Sequence, residues 1–467
     1  MKYLVEEIIW GWPLIVILLS LSFYFSVKTR FVQFRYLKLI PKLLFEKNNK
    51  SNKFSAFQTV SLILANHIGT GNIVGVAYAI CYGGPGAIFW MWITALICSS
   101  LSFMENTLGQ LYKTEINGEY RGGTAYYIYR GIGSQFWAYS ISTLFLICLG
   151  IFMPTIQATT ISETLNTTFN INKLLIGILV TVLLGYVIIG NAKRLVRFAE
   201  VLIPFMAFFY IIISLVIIIS HFNLLDDIIR LIISNAINKK AIYGGIIGKS
   251  INIGMRRGIF THEAGIGTSP NISSSSNVSH PVKQGLLSSF CIFIDTILLC
   301  SLTAFIILIT NKYNIISENE YLFIGLPNKG YNEFVSEAVN TVFIGWGNLF
   351  ITISIFLFGF TALFGSFYNA QTNLMFIFQG KKYEKANVVY KIFFLIIIFI
   401  SSFYKADIAW IITDLGVGVA AFVNIIVLLI LNRKVIDTLK DFELKYKKKL
   451  NLSYYNNELE CWRNQVK

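Results

Sequence analysis

Eleven apolar runs, most of them about as long as a bilayer is thick, follow one another through this 467-residue chain and leave it few folds to choose from. They lie at 8–27, 57–80, 84–112, 136–163, 173–190, 198–220, 241–270, 284–311, 341–378, 390–405 and 407–431. In hydrocarbon every backbone N–H and C=O must be satisfied within the protein, which leaves helices or a closed barrel. Runs of about 20 apolar residues have the length of a membrane-spanning helix. The expected fold is therefore an all-α polytopic membrane protein of about 11 transmembrane helices. Composition agrees, with 55% hydrophobic and 13% charged residues, too little charge to cover a soluble chain of this length.

The net charge of +15 suggests nucleic acid until its placement is considered. Residues 28–53 carry eight Lys or Arg, alternate connections near 113–135, 191–197, 271–283 and 379–391 carry eleven more, and the tail from Arg433 adds nine. The intervening connections are poorer in basic residues. By the positive-inside rule the N-terminus lies outside and the C-terminus in the cytoplasm of a cell membrane, so the basic face meets membrane lipids and no nucleic acid is implied. Residues 1–7 lack a basic region, and no small-residue cleavage site follows the first run, so it is expected to remain as a helix. Residues 31–45 read as an amphipathic helix on the inner surface. The six cysteines are scattered and are expected to be small core residues, not a disulfide or metal framework.

Two runs are broken at their centres. In VSLILANHIGTGNIVGVAYAI, residues 60–80, Asn66, His67 and Gly69-Thr70-Gly71-Asn72 interrupt the helix; in residues 244–270, Thr261-His262-Glu263 precede Gly265-Ile266-Gly267-Thr268. Each leads five runs, which gives an organisation of 1–56 (leading helix and basic segment), 57–220 (first repeat), 221–240 (outer connection), 241–431 (second repeat) and 432–467 (basic tail). An odd number of spans per unit turns the second upside down, so a 5+5 inverted repeat after one extra helix is expected, with the two breaks meeting near the bilayer midplane. A helix that stops there offers free N–H groups at one half and free C=O groups at the other, ends that suit the carboxylate and ammonium of an amino acid or a sodium ion. A glycine-packed helix contact with nothing bound is the bland alternative. Gln157, in PTIQATTIS, faces lipid at a cost and is expected to point inward, and Thr361 is a hydroxyl inside a long apolar run. Glu105, Glu263, Asp295 and Asp414 are intramembrane carboxylates, to be paired with Arg256, Arg257 or backbone, or used in ion coupling. His67 and His262 are expected to be hydrogen-bonded and neutral.

The segments GTGNIVGVAYAI, GGPGAIFWMWITAL, YRGGTAYYI, RGIFTHEAGIGTSPN, HPVKQG and FIDTILLCSLTA occur in that order, and with them nearly the whole chain resembles the alanine or glycine:cation symporter family. The resemblance implies a fold similar to the bacterial leucine transporter and import of a small neutral amino acid driven by Na⁺ as coupling ion. It implies substrate contacts at Gly69, Thr70, Gly71, Asn72 and Gln157, and at Thr261 and His262 in the second break, and a sodium site at Ala65, Ile68, Asn72, Phe358 and Thr361. Thr261-His262 stand where the family usually has Ser-Asn, Thr159 replaces an Asn, Ala362 replaces a second hydroxyl, and Ser366 stands where many members have Trp.

No enzyme is expected, since the four histidines have no catalytic spacing, and no phosphate-binding loop is present for an ATP-driven pump. The alternative within the same fold is an uncoupled channel or amino-acid sensor. No cofactor and no protein partner are implied.

Overall fold

The computed structural model describes residues 5, 9–46, 53–190, 192–237, 246–317, 320–378 and 380–463, without the side chains of 246 and 247. The start of the seventh run at 241, most of the region expected to hold any signal segment, and the last four residues of the tail lie outside the described residues. The helices are α1 (Trp12–Lys28), α2 (Ala56–His67), α3 (Val74–Gly83), α4 (Gly86–Leu111), α5 (Gln135–Phe169), α6 (Lys173–Ile188) and α7 (Ala192–Ser220). They continue as α8 (Leu225–Ile237), α9 (Ile246–His262), α10 (Ser269–Ser273), α11 (Pro281–Ile309), α12 (Phe334–Asn340), α13 (Gly347–Ile377), α14 (Lys381–Ser401) and α15 (Ala406–Lys447). Six of them, α4, α5, α7, α11, α13 and α15, are long and apolar enough to cross a membrane, and α1, α3 and α6 are shorter apolar helices.

The outer helices show what surrounds them. On α6 the buried positions Ile176, Val180, Leu184 and Val187 recur at helical spacing, while Leu175, Leu179, Val182 and Tyr186 on the other faces are exposed. Exposed apolar surface repeated like this on α7 and α14 belongs against lipid. By contrast α2 and α3 are buried on nearly every side. They form the axis of the bundle: α2 packs on α7 and α13, α3 on α9, and α4 carries α1, α9 and α11.

Two small antiparallel hairpins cap the ends. β1 (Thr114–Ile116) pairs with β2 (Glu119–Arg121), and Asn117 and Gly118 turn between them with positive φ, as a two-residue hairpin turn requires. β3 (Asn314–Ser317) pairs with β4 (Glu320–Ile324).

Three features differ from the sequence reading. Residues 32–44 are not one amphipathic helix but three short turns, Val32–Arg35, Leu37–Leu39 and Ile40–Leu44. Pro41 has no N–H to give Leu37, so the helix cannot run through that point. The last apolar helix does not stop near 431 but continues as α15 to Lys447. Beyond it the chain folds back: Tyr454 N–H donates to Ser279 O (2.8 Å) and Glu460 pairs with Arg130 (2.9 Å). Trp462 is fully buried, donating its indole N–H to Gln110 O (3.1 Å) and Leu111 O (3.2 Å) at the end of α4, with the Lys113 ammonium 4.7 Å from a ring centroid. Trp462→Ala is expected to lower stability by about 3 kcal/mol, read as a fall in the thermal midpoint of the detergent-solubilised protein. An unchanged midpoint would mean that the tail is not fastened there.

Candidate functional site

Ser55 begins α2 with a capping box, its hydroxyl on the Gln58 N–H and the Gln58 carboxamide returning to the Ser55 N–H. The helix runs to His67 and stops, and α3 resumes at Val74. Between them Gly69 is extended (φ −125, ψ −160), a conformation open to any residue, so glycine is needed there for space. An added Cβ would stand 2.9 Å from Gln157 Nε2 and 3.2 Å from the Ala362 Cβ. The free N–H groups of the break are taken from within the protein: Gly69 N–H by Asn72 Oδ1 (3.0 Å) and Thr70 N–H by Gln157 Oε1 (3.0 Å). Gln157 thus places a neutral oxygen on a backbone N–H that suits a carboxylate oxygen equally well. Thr70 Oγ1 is buried with no hydrogen-bond partner among the described residues.

The second break does depend on backbone conformation. Glu263 (φ 52), Gly265 (φ 84) and Gly267 (φ 89) are all left-handed, so α9 ends at His262 and α10 restarts at Ser269. Gly71 of the first break faces this one, since a Cβ there would lie 3.1 Å from the Phe260 ring and 3.6 Å from Thr261 Oγ1. The structure therefore brings Gly69, Thr70, Gly71, Gln157, Phe260 and Thr261 into one region.

Asn72 also links the first break to α11, and His262 turns back on its own break. The Asn72 amide donates to Asp295 Oδ1 (2.6 Å), tying the first break to a π-helical turn of α11 at Phe293–Cys300. His262 Nδ1 accepts the Ala264 N–H (3.1 Å), while its Nε2 and both nitrogens of His67 have no partner among the described residues. The expected hydrogen-bonded histidines are thus only partly found. A buried ring nitrogen finds a partner only where the packing brings a polar atom to it.

For the sodium set, Ala65 and Ile68 lie on or just after α2, and Phe358 and Thr361 lie on α13, which packs against it. Thr361 donates to Leu357 O and Phe358 O (each 3.0 Å), so its oxygen lone pairs stay open. Asn72 Oδ1 accepts the Gly69 N–H and its Nδ2 donates to Asp295, so both ends of its carboxamide are engaged here.

The structure gives each intramembrane carboxylate its partners, and the expected arginines go to Asp414. Glu105 accepts from Gly267 N–H (3.1 Å), Ser269 Oγ (3.1 Å) and Asn424 Nδ2 (2.8 Å), and so ties the second break to α4 and α15. Glu263 accepts from Asn66 Nδ2 (2.5 Å), and Asn66 Oδ1 in turn accepts from Asn369 Nδ2 (3.1 Å) on α13. Asp414 holds both Arg256 and Arg257, the latter at 2.6 and 2.7 Å. The Arg257 guanidinium lies 4.2 Å from a Trp410 ring centroid, and Trp410 packs edge-on against Phe260. Asn369 and Phe260 were missed altogether; only the interruption of apolar runs by an amide, and the aromatic beside Thr261, hinted at them.

The model of the sodium:alanine symporter family matches residues 1–456. A Bacillus subtilis (strain 168) chain, YrbD, whose name describes a sodium/proton-dependent alanine carrier, is 38% identical over 449 residues, covering 96% of this chain and 93% of that one. GlnT of the same organism, named for sodium/glutamine symport, is 35% identical over 466 residues, covering 98% and 94%. Among solved structures, MhsT in complex with L-phenylalanine superposes with a TM-score of 0.58 at 14% identity, covering 80% of this chain and 89% of that one, which shows a shared fold. The chain is a membrane transporter, not an enzyme, and it belongs to the sodium:alanine symporter family.

Proposed function

We propose that this protein imports a small neutral amino acid with Na⁺ by alternating access, through eleven spans arranged as a 5+5 inverted repeat after one leading helix. In this reading the N-terminus is outside, the C-terminus is cytoplasmic, and the units are those drawn from the sequence. The observation that carries it is the pair of facing breaks, with Gln157 Oε1 on the Thr70 N–H. An incoming carboxylate takes that N–H and displaces the carboxamide, and the charge-assisted bond that results is stronger than the neutral one it replaces. Gly69 and Gly71 let the ligand approach the backbone, and Thr261 and His262 border it from the second break. Ala362, 3.2 Å from where a Gly69 Cβ would stand, limits the space to a small side chain. Sodium at Ala65, Ile68, Phe358 and Thr361 bridges α2 and α13, so it favours the conformation in which the substrate region is assembled. Each ligand then tightens the other by the same factor.

The test is uptake of labelled alanine, glycine, serine and glutamine into proteoliposomes with and without an inward Na⁺ gradient. Saturable uptake of at least one, raised tenfold or more by Na⁺, is expected. Ion current without saturable uptake would favour an uncoupled channel, and uptake indifferent to Na⁺ would remove the coupling.

A further inference from the structure

Three buried carboxylates surround the breaks, and they differ in how they are satisfied. Glu105 takes three donors, the Gly267 N–H, the Ser269 hydroxyl and the Asn424 amide. Asp295 takes the Asn72 amide and the Thr296 hydroxyl (2.8 Å), neither of which reaches α13. Glu263 is different in place and in partners. It sits on the second break in a left-handed conformation that is costly for a residue with a side chain, and it is 3% exposed. Its donor is the Asn66 amide, with the Thr268 hydroxyl beside it, and among the described residues no Lys, Arg or His forms an ion pair with it.

The groups packed around it do not supply the missing positive charge. His262 precedes it, with Nδ1 used by Ala264 N–H, and His67 at the end of α2 has no partner for either nitrogen among the described residues. Arg256 and Arg257 on α9 are held by Asp414. Asp295 on α11 is acidic and adds repulsion. Such a carboxylate at membrane depth needs a proton or a cation for part of its time.

From Glu263 a chain of amides runs to Asn66 on α2 and Asn369 on α13, so it joins both broken helices to a helix outside them. We infer that Glu263 is a proton-binding site of the transport cycle, and that the Glu263–Asn66–Asn369 chain links its occupancy to the seating of α2 on α13. As an anion Glu263 accepts the Asn66 N–H, the arrangement present here. Once protonated it has an O–H to donate, and the acceptor in line is the Asn66 carbonyl, which faces it when that amide turns over. Asn66 then offers its N–H to Asn369 Oδ1, a buried atom that has no partner among the described residues. Each state of Glu263 thus has its own amide arrangement. The proton enters from water on one side and leaves to water on the other, and only the carboxyl O–H bond is made and broken. In the arrangement present here the Asn66 group facing Glu263 is an N–H, which a carboxylate accepts and a cation does not bind.

The inference rests on the amino-acid import proposed above. Purified full-length protein in proteoliposomes with a trapped pH-sensitive dye, at equal pH on both sides and a fixed Na⁺ gradient, is given labelled alanine and, in parallel, glycine, serine and glutamine. Lumenal acidification that tracks uptake of the accepted substrate is expected, with Glu263→Gln lowering the ratio of protons to substrate at least tenfold and Glu263→Asp restoring it. Should Glu263→Gln move no substrate, calorimetric titration of the solubilised protein in two buffers of different ionisation enthalpy counts the protons taken up on binding. Uptake by wild type and none by the variant is expected. Wild-type import without acidification, an unchanged ratio or proton count in Glu263→Gln, or a fall in Na⁺ per substrate in its place would overturn the inference. Failure of the sodium reading looks different: no stimulation by Na⁺, whatever the proton ratio.

Discussion

Asp414→Ala is expected to cost about 3–5 kcal/mol of stability, because it leaves two buried guanidinium ions without their counter-ion. Arg256 and Arg257 are 6% and 1% exposed and Asp414 is 0% exposed, so water does not screen the loss. In the proposed reading this cluster, where Arg257 and Trp410 lie over Phe260 and Tyr78, closes the substrate region from one side. In the proposed orientation this is the outer side. Uptake is therefore expected to fall tenfold or more along with stability. The two effects separate in the triple variant Arg256→Met, Arg257→Met, Asp414→Leu. Replacing a whole buried ion cluster by apolar side chains of similar size is often neutral or stabilising, so the thermal midpoint should recover. Transport should not, because a closure that must form and release in each cycle then has no polar contact to exchange with water. If the triple variant transports at the wild-type rate, the cluster is structural only.

What the chain disclosed in advance follows from the range of the interactions concerned. Helical spans are set by local apolarity, and the two breaks by glycine within a few residues, so both were legible. Partners were not. Asn66 and Glu263 are 197 residues apart and Asn66 and Asn369 are 303 apart, and nothing local in either sequence says which amide meets which carboxylate. Asp414 was recognisable as an intramembrane acid needing a cation, yet only the fold shows that it holds both neighbouring arginines. The π-helical turn that presents Asp295 has no local marker, since FIDTILLC reads as an ordinary apolar helix. Two misreadings did have a signal. Pro41 forbids the continuous surface helix, and Trp462 in a charged tail is an apolar side chain that needs a place to be buried.

The largest loss from the smallest change is expected at Gly365→Ala. Along α13 the positions 359, 362 and 365 form the groove that receives the first broken helix. A Cβ on Gly359 would meet Thr70 Cγ2 at 3.1 Å, Ala362 Cβ lies 3.2 Å from where a Gly69 Cβ would stand, and a Cβ on Gly365 would stand 2.7 Å from Asn66 Cα and closer still to its side chain. At Gly359 the obstacles are the flexible end of Ile161 and one methyl group, which can move aside. At Gly365 part of the obstacle is backbone, so α2 must withdraw by about 1 Å to reach an ordinary carbon–carbon separation. Overpacking of this kind costs about 1–3 kcal/mol. The functional cost is larger, because the withdrawn residue is Asn66, which holds Glu263 and Asn369, and a displacement of about 1 Å at a working site costs about a hundredfold in rate. Gly365→Ala is thus expected to reduce the maximal rate of uptake of the accepted substrate about a hundredfold and Gly359→Ala by less than tenfold. Gly248→Ala, where an added Cβ meets nothing within 4 Å, should leave transport unchanged and gain up to about 1 kcal/mol of helix stability. Wild-type rates in Gly365→Ala would show that α2 does not need to lie this close to α13 for transport.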